Sequence, residues 1–270
     1  MVVFAGQGDA RRSMALLWRA RRKDEPRPGP KQGLTVEAIV AAAIELADEH
    51  GMAALSMRAV GERLGRTGMA LYTYVPSKAE LVDLMYDTVL AEAHRTYPLD
   101  DGWRPALTAW AEDMWAFYLR HPWVLRVSQA RPVLGPNEYV VLDEVVRILF
   151  ESGLDPARLR QVTGALFQFV RAVAQVVAEA RAASAATGTS DEDWWYARSA
   201  LLTEMAPDFD QRFPSVAKLA RAGGFALTDE TVPYQEQAAT ETFRTGLTTL
   251  LDGMEKGPPG NAPAWPGDEL

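Results

Sequence analysis

The chain has no cysteine among its 270 residues. That excludes a disulfide framework, a thiolate metal site and a cysteine nucleophile. Histidine is scarce too: His50, His94 and His121 are the three present, spaced too widely to read as a zinc set or as the base of a nucleophilic triad. There is no GxGxxG and no Walker-type glycine loop, and the glycines from Gly29 to Gly33 sit in a proline-rich stretch. No run of eighteen apolar residues could span a bilayer. Arg11 and Arg12 are not followed by the apolar block of a secretory signal. These absences point away from an enzyme, from a cofactor or metal, and from a membrane, and towards a cytoplasmic protein.

What is present is a chain with a real core and a lopsided charge. Apolar residues make up 48% and charged residues 24%, enough to bury an interior. The net charge is −8, yet residues 1–33 carry eight basic side chains against three acidic ones. Over the first 78 residues basic groups outnumber acidic ones twelve to eight, whereas the remainder holds 16 against 28. A basic first third on an acidic body fits an anionic partner at one end; a solvated charged tail fits it equally.

Capping and periodicity predict helices almost throughout, so the fold class is all-α. Residues 1–33 read as a flexible basic arm without a periodic apolar face, ending in Pro26-Arg27-Pro28-Gly29-Pro30. Thr35 caps a first helix whose apolar positions Val36, Ile39, Val40, Ala43 and Ala47 follow the 3.6 period, and Gly51 stops it. Ser56 caps a second helix ending at Gly65. Thr67 caps a third, running from Gly68 to about Tyr74. Ser77-Lys78-Ala79-Glu80 is a capping box that opens a fourth, to about Thr96. Further helices follow over 105–121, 137–152, 157–186, 192–205 and 234–254, with a looser connection over 207–229. No strand is expected. The expected division is an arm (1–33), a helix-turn-helix unit (34–78), a ligand-binding and dimerisation body (79–255) and a disordered tail (256–270).

Two short helices joined by a tight glycine turn after a longer helix form a helix-turn-helix pattern. Its core would be Ile39, Ala43, Leu55, Val60, Leu64, Leu71 and Val75. Arg66, Thr67, Gly68, Met69, Ala70 and Thr73 then point outward from the first turn of the third helix, where a recognition helix meets base edges. Thr67 can hydrogen-bond a base or phosphate, and Met69 or Ala70 can touch a thymine methyl. Ser56, Arg58, Tyr72, Tyr74 and Lys78 would lie over phosphates.

The stretch Leu55-Ser56-Met57-Arg58-Ala59-Val60-Gly61-Glu62-Arg63-Leu64-Gly65, followed by Leu71-Tyr72-Thr73-Tyr74-Val75-Pro76-Ser77-Lys78-Ala79-Glu80-Leu81, resembles the TetR family of bacterial repressors. The resemblance is close over residues 34–85 and loose beyond. It implies a homodimer that binds a double-stranded operator and carries a ligand-responsive helical body. Gly68-Met69-Ala70 occupies the stretch that the family varies to choose its operator.

In the body, Trp110, Met114, Phe117 and His121 share one helix face, and Phe167, Arg171 and Gln175 share another. They read either as core or as the walls of an inducer pocket. Leu166, Val170, Val173 and Val177 form one apolar stripe; Phe243, Gly246, Leu247, Leu250 and Met254 form a second. Either could pack inside one subunit, while the resemblance favours a dimer interface. The reading is therefore a ligand-responsive transcriptional regulator, a repressor, released from a palindromic operator by a small, largely apolar molecule. The rival is a helical small-molecule-binding or carrier protein without specific DNA binding.

Overall fold

The computed structural model describes residues 3–19, 34–226, 229 and 232–255. The arm's 20–33 portion and the tail over 256–270 lie outside the described residues. The order is β1 (Val3–Phe4), α1 (Ala10–Arg19), α2 (Val36–His50), α3 (Met57–Arg63), α4 (Gly68–Leu71), α5 (Lys78–Leu90) and α6 (Trp103–Arg120). Then come β2 (Val127–Ser128), α7 (Pro136–Phe150), α8 (Pro156–Thr187), α9 (Asp191–Met205), α10 (Phe209–Arg212), α11 (Pro214–Arg221) and α12 (Tyr234–Glu255). The fold is all-α apart from a two-residue parallel pairing in which Val3 faces Val127 and Phe4 faces Ser128.

Helix starts fall where the caps require. The hydroxyl of Thr35 accepts from Ala38 N, that of Ser56 from Ala59 N, and that of Ser77 from Ala79 N and Glu80 N. Ser190 caps α9 in the same way, accepting from Asp193 N. Gly51 follows α2 with φ +72° and Gly65 follows α3 with φ +65°, a region that favours glycine. Other boundaries differ from expectation. The fourth predicted helix ends at Leu90 and passes into a 3₁₀ turn, Ala91–Ala93, and the connection over 207–229 contains α10 and α11.

The larger departure is at the N-terminus. Residues 3–19 are not a free arm: they form β1 and α1, with Ala5 and Leu17 buried. Gly6 N donates to Asp83 Oδ1 at 2.9 Å, and Asp9 N to Glu80 Oε1 at 3.2 Å. Glu80 is thereby drawn out of the ordinary capping box. It takes the Ser77 hydroxyl and Asp9 N, while Ser77 Oγ still accepts from Glu80 N.

The chain divides into two compact units within α8, between Arg171 and Ala172. In the first unit α5 is central, because α1, α2 and α7 all pack on it. Leu81, Val82, Leu84, Met85, Tyr86, Val89 and Leu90 are buried, and so are Glu80, Asp83 and Asp87. Asp87 caps α7 from outside it, Oδ1 accepting from Asn137 N and Glu138 N at 2.9 and 3.0 Å. Gly135 leaves the space for that carboxylate, since a Cβ there would collide with it. In the second unit Arg181 pairs with Glu236 at 2.6 Å, and α9 buries none of its residues.

Candidate nucleic-acid interface

The helix-turn-helix is set by close backbone approach. A Cβ on Gly61 of α3 would stand 2.9 Å from Arg66 O and Gly68 N, and one on Gly68 would stand 3.1 Å from the Arg58 backbone. Small residues at both contact points let α3 and α4 cross tightly, and Arg66 N closes the turn onto Gly61 O at 2.8 Å. The signal for Gly61 in the sequence is its place four residues ahead of Gly65. Ile39, Ala43, Leu55, Val60, Leu71 and Val75 are buried as expected, while Leu64 is half-buried.

The outward face of α4 carries Arg66, Thr67 and Thr73 exposed, with Gly68 and Ala70 half-buried between them. Met69, at the start of the short helix α4, is 75% exposed. Thr67 makes no side-chain cap bond, so its hydroxyl is not engaged by the helix it precedes. Tyr72 and Tyr74 are exposed alongside.

Three of the phosphate candidates have internal duties. Ser56 caps α3. Arg58 pairs with Glu62 at 2.7 Å on a fully open surface. Lys78 Nζ donates to Leu55 O at 2.6 Å, which ties the start of α5 to the start of α3 and leaves two ammonium hydrogens for a phosphate.

In the body, Trp110, Met114 and Phe117 are interior residues of α6, each no more than 3% exposed. Trp110 meets Phe167 edge-on at 5.0 Å, and its indole N–H is buried with no hydrogen-bond partner among the described residues. Arg171 is already committed: its guanidinium donates to the carbonyls of Val124, Leu125 and Val127 at 3.2, 2.7 and 2.8 Å and lies over the Tyr118 ring. Gln175 is half-buried and donates to Glu179 in the second unit.

His121 turns to a different task from the one its spacing suggested. Nδ1 lies 2.8 Å from Asp48 Oδ1 on α2, and Nε2 lies 3.1 Å from Glu92 Oε2. The same Asp48 oxygen accepts from the Trp123 indole at 2.8 Å. Burial raises the Glu92 pKa, but bonds from His121 and Arg120 outweigh it and hold the carboxyl below its ordinary value. A polar joint therefore fastens the last turn of α2 to the end of α6. Sequence reading found neither Asp48 nor Trp123, because nothing local links positions 75 residues apart.

The two apolar stripes proposed for dimerisation face inward in the single chain. Leu166, Val170, Val173 and Val177 are buried, as are Phe243, Leu247 and Met254 of the second stripe. Gly246 and Leu250 are half-buried at their margin. Among the described residues no group of three or more His, Asp or Glu is placed to hold a metal ion, and no helix is long and apolar enough to cross a membrane.

A family model described as bacterial regulatory proteins, tetR family, matches residues 39–85, the stretch that contains this crossing. A second, the tetracyclin repressor-like C-terminal domain, matches residues 97–257. The chain belongs to the TetR family of bacterial regulatory proteins. This TetR-family regulator is 36% identical over 252 residues to the HTH-type transcriptional repressor DrrR1 of Streptomyces coeruleorubidus, covering 93% of this chain and 87% of that protein. It is 27% identical over 223 residues to the class C tetracycline repressor protein of Escherichia coli, covering 82% and 90%. The fold is shared with apo ActR from Streptomyces coelicolor, with a TM-score of 0.65 at 24% identity over 84% of this chain and 98% of that one.

Proposed function

We propose that this TetR-family regulator is a cytoplasmic repressor that binds a near-palindromic operator as a homodimer and is released by a small, largely apolar molecule. The observation that carries the reading is the first turn of α4. It presents Thr67 with an uncommitted hydroxyl and Met69 with its side chain in solvent, on a crossing that Gly61 and Gly68 hold tight. Such a turn fits the major groove, where Thr67 reads a polar edge and Met69 a thymine methyl. Arg58, Arg66, Tyr72, Tyr74 and the free valences of Lys78 supply phosphate contacts around it.

Support for a second copy comes from the second unit. α9 exposes Trp194, Trp195, Leu201, Leu202 and Met205, more apolar surface than a solitary helix leaves to water. The α12 face beside its buried stripe is built of Thr242, Thr245 and Gly246, which lets another helix approach closely. Two recognition helices related by a two-fold axis would then meet half-sites roughly 34–36 Å apart. Arg11 and Arg12 of α1 are exposed and add to the attraction for a duplex.

For the released state, the reading places the inducer's polar contact on Trp110 in place of Arg171, three of whose five N–H donors are spent on backbone carbonyls. A buried indole N–H without a partner is an unfavourable arrangement that a carbonyl or phenol oxygen would relieve. A flat, largely apolar molecule with one such oxygen is the class that fits; ActR, of the same fold, is known in complex with actinorhodin.

The test is a mobility shift of duplex DNA from upstream of the protein's own gene, repeated across salt concentrations. Specific retention that falls linearly in log affinity against log salt is expected. Indifference to sequence would return the protein to the carrier reading. Tryptophan quenching by flat polycyclic compounds, with and without the duplex, then identifies an inducer as a compound whose affinity drops when DNA is bound.

A further inference from the structure

The N-terminal segment meets the recognition unit at its root. α5 begins three residues after Val75, and its first two turns carry Glu80 and Asp83, which are 3% and 2% exposed. Buried carboxylates require donors, and here the donors come from residues 6 and 9: Gly6 N to Asp83, and Asp9 N to Glu80. Gly8 passes between them so closely that any Cβ would overlap the Glu80 carboxylate. The same segment is fastened to the body at two further points. β1 pairs with β2, and the Trp18 indole donates to Leu134 O at 3.2 Å while its ring lies 6.3 Å from that of Tyr139 on α7. Leu17, 2% exposed, supplies the apolar anchor between them.

We propose that residues 3–19 are a positioning strap for DNA binding, which holds the first turns of α5 against the body and so sets the angle at which α3 and α4 are presented. This rests on α4 being the recognition helix. α5 is the covalent connection from the helix-turn-helix to the body that follows it in the chain. A helix held only at its far end can swing; the strap clamps the near end, where a small rotation moves the recognition helix most. A loosened unit must be ordered again on each half-site, which lowers affinity where two half-sites must be met together. Binding to phosphates without sequence preference carries no such requirement.

The native absence of cysteine makes a clean experiment available. Phe4 and Ser128 are register partners, so Phe4→Cys with Ser128→Cys places two thiols across adjacent strands, within disulfide reach. The probe is a duplex selected by the wild-type protein from a random library, with a scrambled duplex of equal length as the non-specific reference. Oxidised, the double variant should keep the wild-type ratio of specific to non-specific affinity. A chain lacking residues 1–19, and the variant Gly8→Val, should lose about tenfold in that ratio, which corresponds to roughly 1.4 kcal/mol. Their non-specific affinity should change little once the charge of Arg11 and Arg12 is allowed for by the salt slope.

A general loss of folded protein would lower both affinities together and leave the ratio intact, which would overturn the proposal. So would an unchanged ratio in Gly8→Val with β1 released, judged by whether oxidation still forms the cross-link when Gly8→Val is added to the cysteine pair. A wild-type protein that selects no duplex at all would instead overturn the DNA-binding reading on which the strap depends.

Discussion

The helix-turn-helix and the N-terminal segment are built from similar materials: short helices, glycines at close approaches, and a few buried aliphatic side chains. One was legible from the sequence and the other was not. In the helix-turn-helix every start and stop is encoded within four residues of where it acts, through Thr35, Ser56, Gly51 and Gly65. In the segment 3–19 the anchors are Asp83, Glu80, Val127 and Leu134, between 71 and 124 residues away. Local chemistry marks elements that satisfy themselves. It is silent on elements whose donors are satisfied by distant partners.

The comparison can be broken first at its two cores. Leu71 is fully buried under α4, and Leu71→Ala should cost roughly 2–5 kcal/mol, the usual range for such a cavity. Leu17 is as well buried, but Leu17→Ala should cost no more than the docking of the segment is worth, because α1 can detach while the rest stays folded. Calorimetry should show a lowered main transition for Leu71→Ala and an unchanged one for Leu17→Ala. Equal shifts would mean that the segment folds as part of the same cooperative unit.

The joint at the end of α2 comes next. Asp48→Asn keeps the size but leaves His121 and the Trp123 indole with a weaker acceptor, and should cost about 1–3 kcal/mol. The double variant with His121→Asn should be little worse than either alone, since both groups act through one contact. Additive losses in chemical denaturation would show them to be independent.

On the recognition face, Thr67→Ala and Met69→Ala should each change which base pair is preferred, by roughly 1–3 kcal/mol per lost contact. Lys78→Glu should weaken binding to every sequence, and here the structure adds a second cause, because the bond to Leu55 O is lost as well. Selection experiments on the three variants separate the roles: a Lys78→Glu protein with altered preference and undiminished non-specific affinity would contradict the assignment.

The smallest effect is one of pH. Burial raises the Asp83 pKa above its ordinary 3.8, against the opposing bond from Gly6 N–H and with the nearby Glu80 charge adding to the rise. The folded state therefore holds its proton more tightly than the unfolded one, and the contribution of Asp83 to stability is greatest in acid. It falls as pH rises from about 3.8 through the higher folded value. Melting of wild type relative to Asp83→Asn, followed from pH 4 to 7, should show the wild type losing ground as pH increases.

Much of the candidate site could be read from residue types and spacing alone. Met69 and Thr67 are exposed on α4, because a short helix packed through Leu71 leaves few other directions. Glu80, Asp83 and Asp87 fall at i, i+3 and i+7, a polar stripe along a helix otherwise buried, and that spacing is the signal for the contacts that Glu80 and Asp83 make with residues 6 and 9 and that Asp87 makes with the start of α7. It was missed because a charged stripe on a helix usually faces water.

The capped helix starts, the all-α class and the helix-turn-helix were settled by the sequence itself, because caps, glycine turns and the 3.6 period act between residues a few positions apart. The facing of the stripes was decided by the tertiary structure alone. Phe243 and Leu247 lie inside the chain and not at a free surface, Arg171 binds carbonyls, and His121 reaches back to Asp48. A helical period says which residues share a face; what that face meets depends on elements brought from far along the chain.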